Sequence, residues 1–229
     1  MVSYLSHLKK LYFHPSKFFA SVEKDKDYSK IMFFYVKMII ISSIITILSS
    51  AIILTIRKSF ILKEFISIIF DSAVSIGLAF LVPFVMAGII HLGVLIFRGK
   101  QGYYNTYKPI AYSLVVVAIY SIISTIVTSI LSVIYPANQL PSMTADPSIY
   151  FQTLLQDKNF ILLLAVAFTI LVISFVHSLI VQIIGISKFQ KISKLKAFLS
   201  IILISVILIM LVILVMTLII RYIPSAAIA

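Results

Sequence analysis

Cysteine is absent from all 229 residues, which excludes disulfides, thiolate metal sites and thiol catalysis. Charge is nearly as scarce: Asp, Glu, Lys and Arg together make up 11% of the chain, against about a quarter in a soluble globular domain. So few charges cannot cover a water-facing surface. Acidic residues number seven against nineteen basic ones, for a net charge of +12. What fills the chain instead is apolar, with 62% hydrophobic residues and a mean hydropathy of +1.16. Hydrocarbon about 30 Å thick needs roughly 20 apolar residues of helix, and several stretches meet that length. The composition indicates an all-α, polytopic transmembrane helical bundle.

Taken in order, residues 1–30 form an amphipathic segment. Tyr4, Leu5, Leu8, Leu11 and Tyr12 recur at helical spacing while Lys9 and Lys10 lie away from them, the pattern of a helix lying in the membrane surface. Pro15 breaks it and opens a second turn through Phe18 and Phe19. Five spans are expected in residues 31–221, at about 31–56, 72–97, 109–134, 160–184 and 197–220, followed by a short tail, 222–229. Residues 59–71 are assigned to the outer interface ahead of span two. That span contains Pro83, Gly77, Gly88 and Gly93, so it is expected to be kinked and interior. Pro109 is placed at the start of span three. Asp71 is expected to form a surface ion pair with Arg57 and Lys58.

The nineteen cations sit in the gaps between apolar runs, which makes them topological markers and not a nucleic-acid patch. Thirteen lie with the N-terminus and the two short turns, five lie on the opposite side, and Lys37 falls inside span one. The positive-inside rule then puts the N-terminus in the cytoplasm, the C-terminus outside and the protein in the cell membrane. A weak repeat also runs through the chain at an offset of 86. His91, Gly99, Tyr103, Lys108, Ala111 and Tyr112 fall opposite His177, Gly185, Phe189, Lys194, Ala197 and Phe198. Both copies are helical hairpins of the same direction, so the repeat is parallel and differs from the inverted repeats of many transporters.

Three groups of residues carry these features: Phe13-His-Pro15-Ser-Lys-Phe18-Phe19; the core His91 … Arg98-Gly99-Lys-Gln-Gly102-Tyr103 … Thr106-Tyr107 … Ala111-Tyr112-Ser113; and His177 … Lys196-Ala197. Together with five spans, they resemble the Yip family, the Ypt/Rab-interacting membrane proteins and their prokaryotic relatives. The resemblance implies a cytosolic N-terminus, a five-span bundle and, from the eukaryotic members, association with small GTPases and with traffic between endoplasmic reticulum and Golgi. The chain lacks the long N-terminal region and the Asp-Leu-Tyr-Gly-Pro segment of those members, so the resemblance is to a prokaryotic-type member.

Candidate chemistry is sparse. His91, His177 and Lys37 are the intramembrane polar candidates, all at comparable depth, and ionisable groups in lipid default to a functional reading. Against that stands a neutral histidine bonding a serine or carbonyl across the bundle. Arg98, Lys100, Lys108, Lys188, Lys191, Lys194 and Lys196 form basic turns facing lipid or a partner, and Tyr103, Tyr104 and Tyr107 read as an interfacial aromatic belt. Gly99-Lys-Gln-Gly102 lacks the spacing of a phosphate-binding loop, and two histidines without a carboxylate do not complete a metal ligand set. The sequence therefore points to a non-enzyme without cofactor or metal. It suggests a membrane scaffold or adaptor whose partners are membrane lipids and a cytoplasmic protein. The alternative is a small-solute conduit or lipid scramblase using a polar cleft around Lys37, His91 and His177.

Overall fold

The computed structural model describes residues 4–23, 27–56, 62–136 and 155–222. Arg57, Lys58, most of the loop expected over 135–158 and the tail 223–229 lie outside those residues. The described chain is helical: α1 (Tyr4–Phe13), α2 (Pro15–Ser21), α3 (Tyr28–Ile56), α4 (Leu62–Ala79), α5 (Val82–Ile96), α6 (Tyr104–Ile134), α7 (Lys158–Gln190) and α8 (Lys194–Tyr222). Four helices (α3, α6, α7 and α8) are each long and apolar enough to cross a bilayer, and α4 with α5 makes a fifth if that bent pair is one span. The outward faces of these helices carry Leu, Ile, Val and Phe throughout, as surfaces solvated by lipid require.

Helix ends follow local chemistry. Asp157 caps α7, its carboxylate accepting from the backbone N–H of Asn159 and Phe160, the usual answer to orphan donors at an N-terminus. Lys191 ends the same helix in the left-handed region at φ 54°, and Arg98 does so just beyond α5 at φ 65°. These two turn residues are 93 positions apart, seven more than the repeat offset of 86. The second hairpin thus runs about two helical turns further before it reverses. Gly185 consequently lies inside α7, while Gly99 lies in the turn after α5. The turn expected over 185–196 shrinks to residues 191–193.

Span two departs furthest from expectation. Residues 62–71 are helical and continuous with 72–79, and the chain bends by 44° between α4 and α5. Phe84 stacks on Tyr107 at 4.7 Å, its carbonyl accepts from the Tyr103 hydroxyl at 2.7 Å, and His91 meets Thr106 at 2.8 Å. Phe84 and His91 are about 10 Å apart along α5, yet both reach the opening of α6. So α5 crosses the foot of α6 instead of running its length. Pro109 lies inside α6, which starts five residues earlier.

The core is concentrated at one end. α6 buries Thr106 to Ser113 almost without interruption, and α1 and α2 pack over this end with Leu11, Phe18 and Phe19 fully buried. Of the apolar face expected to lie in lipid, Leu11 is fully buried and Tyr4, Leu8 and Tyr12 pack against the core, while Leu5 stays exposed. Amphipathic periodicity reports that a face must be buried, and either solvent satisfies it. The Phe19 ring fits because Gly185 has no side chain: a Cβ there would fall onto Pro109 and lie 2.8 Å from the Phe19 ring.

Candidate functional site

Lys108 is the centre of the basic end. Sequence spacing placed it in an outward-facing turn, but it lies inside α6 and is 1% exposed. Its ammonium donates to the Val22 carbonyl at 2.9 Å and reaches the Glu23 carbonyl at 3.4 Å. These carbonyls follow the last turn of α2, where the partial charge is negative. The rings of Tyr104 and Phe189 flank the same ammonium at 5.1 and 4.7 Å. A buried cation is tolerable only when its donors are used, and here they hold the end of the N-terminal segment. Lys188 adds a second tie from α7, 3.3 Å from the Glu23 carboxylate.

His177 closes a ring of hydrogen bonds with Tyr12 and Tyr120. The Tyr12 hydroxyl donates to the Tyr120 hydroxyl at 2.7 Å, and Tyr120 lies 3.2 Å from Nδ1 of His177. Nε2 is 3.0 Å from the Tyr12 carbonyl. A carbonyl only accepts, so Nε2 carries the proton and Nδ1 accepts from Tyr120. Every member is satisfied with a neutral imidazole, and the ring ties α1 to α6 and α7.

His91 belongs to a different network. Gln190, 2% exposed, receives the backbone N–H of Gln101 on Oε1 and donates from Nε2 to the Gly102 carbonyl and the Thr106 hydroxyl. The backbone partners fix which way the amide points, since one only donates and the other only accepts. Thr106 already accepts from Gln190, so its proton is available to Nδ1 of His91 at 2.8 Å. This cluster fastens the turn after α5 to the end of α7. The two repeat-related histidines thus share a hydroxyl on Nδ1 and little else.

Lys37 is exposed and lies over the Tyr4 ring at 4.5 Å. The Tyr4 hydroxyl donates to the Phe34 carbonyl, and burial pushes its pKa up to about 12. Among the described residues, Lys37, His91 and His177 therefore occupy three separate sets of contacts. Of the aromatic belt, Tyr103 and Tyr104 are half-buried, while Tyr107 is fully buried between Phe84 and Tyr28. Its hydroxyl has no partner among the described residues. Replacing Tyr107 with Phe should leave thermal stability unchanged or raise it by up to about 1 kcal/mol, because a buried unpaired hydroxyl carries a desolvation cost. A clear drop in melting temperature would mean that the hydroxyl is bonded after all.

Arg98, Lys100, Lys191, Lys194 and Lys196 are exposed around this end, as are Lys9, Lys10 and Lys17 on α1 and α2. Docking the N-terminal segment brings these cations onto one face. Sequence reasoning missed Tyr12, Thr106, Tyr120 and Gln190 as members of the networks. The one available signal was Gln190 itself, an uncharged polar residue beside an apolar run, where a partner is required. Among the described residues, no group of three or more His, Cys, Asp or Glu side chains could hold a metal ion.

A family model described as the Yip1 domain matches residues 9–216. No curated protein and no solved structure matches the chain significantly.

Proposed function

The chain belongs to the Yip1-domain family, and on that premise we propose that it is an integral membrane adaptor. Its basic end faces the cytoplasm, engages anionic lipid head groups and presents a docking face to a soluble partner. The observation that carries this reading is the cationic rim around the docked N-terminal segment: Lys9, Lys10, Lys17, Arg98, Lys100, Lys191, Lys194 and Lys196 are all exposed there. An excess of Lys and Arg on one side orients a membrane protein toward the cytoplasm, which puts the C-terminus outside in the cell membrane. The resemblance suggests a small GTPase as the class of partner protein. The buried ends of Lys108 and Gln190 serve to hold this face in shape.

Replacing Lys191, Lys194 and Lys196 together with Gln tests the reading and leaves the Lys188–Glu23 pair intact. Each cation contributes about 1 kcal/mol of attraction to an anionic surface. Retention of anionic lipid in mixed nanodiscs should therefore fall on the order of 100-fold, along with capture of cytoplasmic proteins. Unchanged lipid retention and unchanged capture would remove the adaptor reading.

A further inference from the structure

A second polar feature lies away from the basic end, in the middle of the spans. Asp71, Ser72 and Ser75 of α4, Ser42 and Ser43 of α3 and Ser121 of α6 line a cleft of about 380 Å³. Ser42 stands at the midpoint of α3 and Ser121 close to that of α6, while Asp71, which is exposed, and Ser72 lie in the first half of the bent α4–α5 pair. An ionised side chain within a membrane-spanning segment is costly unless it has a partner. The Asp71 carboxylate has neither an ion pair nor a hydrogen bond among the described residues. Ser72 is only 9% exposed, and its hydroxyl opens on the cleft without a hydrogen-bond partner among those residues. The other four serines are likewise unpartnered there. Hydroxyls elsewhere in the spans, those of Ser113, Ser178, Ser200 and Ser205, instead donate back to their own helices.

We propose that this cleft binds one compact monovalent cation, held by the Asp71 carboxylate and the surrounding serine hydroxyls. The charge follows from the lining: a single carboxylate, with no cationic side chain among the described residues that line the cleft, is balanced by one positive charge. Anions are repelled by it. A divalent ion would be left with a net positive charge against one carboxylate. Quaternary ammonium groups are recognised by aromatic cages, and no aromatic ring lines this cleft. Carboxylate and hydroxyl oxygens suit an alkali ion, or a primary ammonium, whose N–H groups they accept. The volume admits either an ion with part of its water shell or the amine end of a lipid head group. The inference is independent of the adaptor reading, since none of its residues belongs to the basic end.

The test is direct binding of ²²Na⁺ to the purified full-length protein in detergent, with competition by K⁺, methylammonium and choline. Saturable binding near one ion per chain is expected, weakened at least 10-fold in Asp71→Asn and several-fold in Ser72→Ala. Displacement by methylammonium far better than by K⁺ would identify an amine site, and the reverse an alkali-ion site; either supports the proposal. Absence of saturable ²²Na⁺ binding together with absence of radiolabelled methylammonium binding overturns it, as does binding undiminished in Asp71→Asn. Both variants are to be checked for unchanged melting and elution. Should Asp71→Asn fail that check, the Ser72→Ala affinity alone decides, and full wild-type affinity there also overturns the proposal.

Discussion

Lys108→Met should release the N-terminal segment from the bundle while leaving the spans folded. Methionine fills much of the same volume, so the loss is one of donors and charge. The Val22 carbonyl stays buried at the end of α2 and loses its 2.9 Å partner, whereas the exposed Glu23 can turn its own carbonyl to water. Hydrogen bonds to a charged group contribute roughly 1.5–3 kcal/mol each, and an orphaned buried acceptor costs about as much again. An apolar swap can be neutral when a whole buried ion pair is replaced, but here the acceptor remains. About 3 kcal/mol is the expected loss, a shift of more than 100-fold in the docking equilibrium. Trypsin should then cleave after Lys9, Lys10 and Lys17 in the variant much faster than in the wild type. Lys194→Gln is the control: Lys194 is the repeat counterpart of Lys108 but is exposed, and its loss should not change the cleavage rate. Equal protection in the wild type and Lys108→Met would show that the ammonium does not hold the segment.

Gly93→Ala should destabilise the membrane domain itself. At Gly93, α5 crosses α8 so closely that an added Cβ would fall onto the Ser200 carbonyl oxygen and lie 3.1 Å from its carbon. Both atoms belong to the backbone, so no rotamer change relieves the clash. The two helices have to separate by roughly 1 Å to restore an ordinary carbon–oxygen contact. That separation loosens the packing of Ile90 and Val94 on one helix and Ala197, Ile201 and Ile204 on the other. Overpacking a well-fitted contact costs about 1–3 kcal/mol, and the upper end applies where backbone meets backbone. Gly88→Ala provides the contrast: its Cβ meets nothing within 4 Å, and helix propensity favours alanine by up to about 1 kcal/mol. In detergent melts, Gly93→Ala should unfold several degrees below the wild type and Gly88→Ala at or above it. Matching melts for the two variants would mean that the α5–α8 crossing is not tight.

How far the sequence carried the fold depended on the kind of signal. Long apolar runs mark α3, α6, α7 and α8 because lipid imposes a length, and their boundaries shift by up to six residues. The bend between α4 and α5 was signalled by Pro83, which stands in the first turn of α5 directly after the break, while contacts of Phe84 with Tyr28 and Tyr107 set the direction in which α5 turns. Lys108 shows the limit. A lysine beside an apolar run reads as a topological marker, and nothing local reveals that α2 presents two carbonyls to it. Tyr107 was equally opaque, because its burial depends on partners 79 and 23 positions earlier in the chain. The histidines were found by their rarity in apolar runs. Their assignment to separate networks rests on Tyr12, Thr106 and Gln190, which no periodicity selects. The serines of α3 were unremarkable one by one, and only the approach of α4 gathers them around Asp71.

Lys108 and His177 both grasp α1 and α2 by main-chain oxygens, at Val22, Glu23 and Tyr12. A grip of that sort is indifferent to most of the side chains it carries. Exposed positions such as Lys9, Lys10, Ser16, Lys17 and Ala20 could be rewritten without loosening the attachment, provided Tyr12 and the buried Leu11, Phe18 and Phe19 are kept. The protein thus has a nameplate with fixed screws, on which different addresses can be engraved.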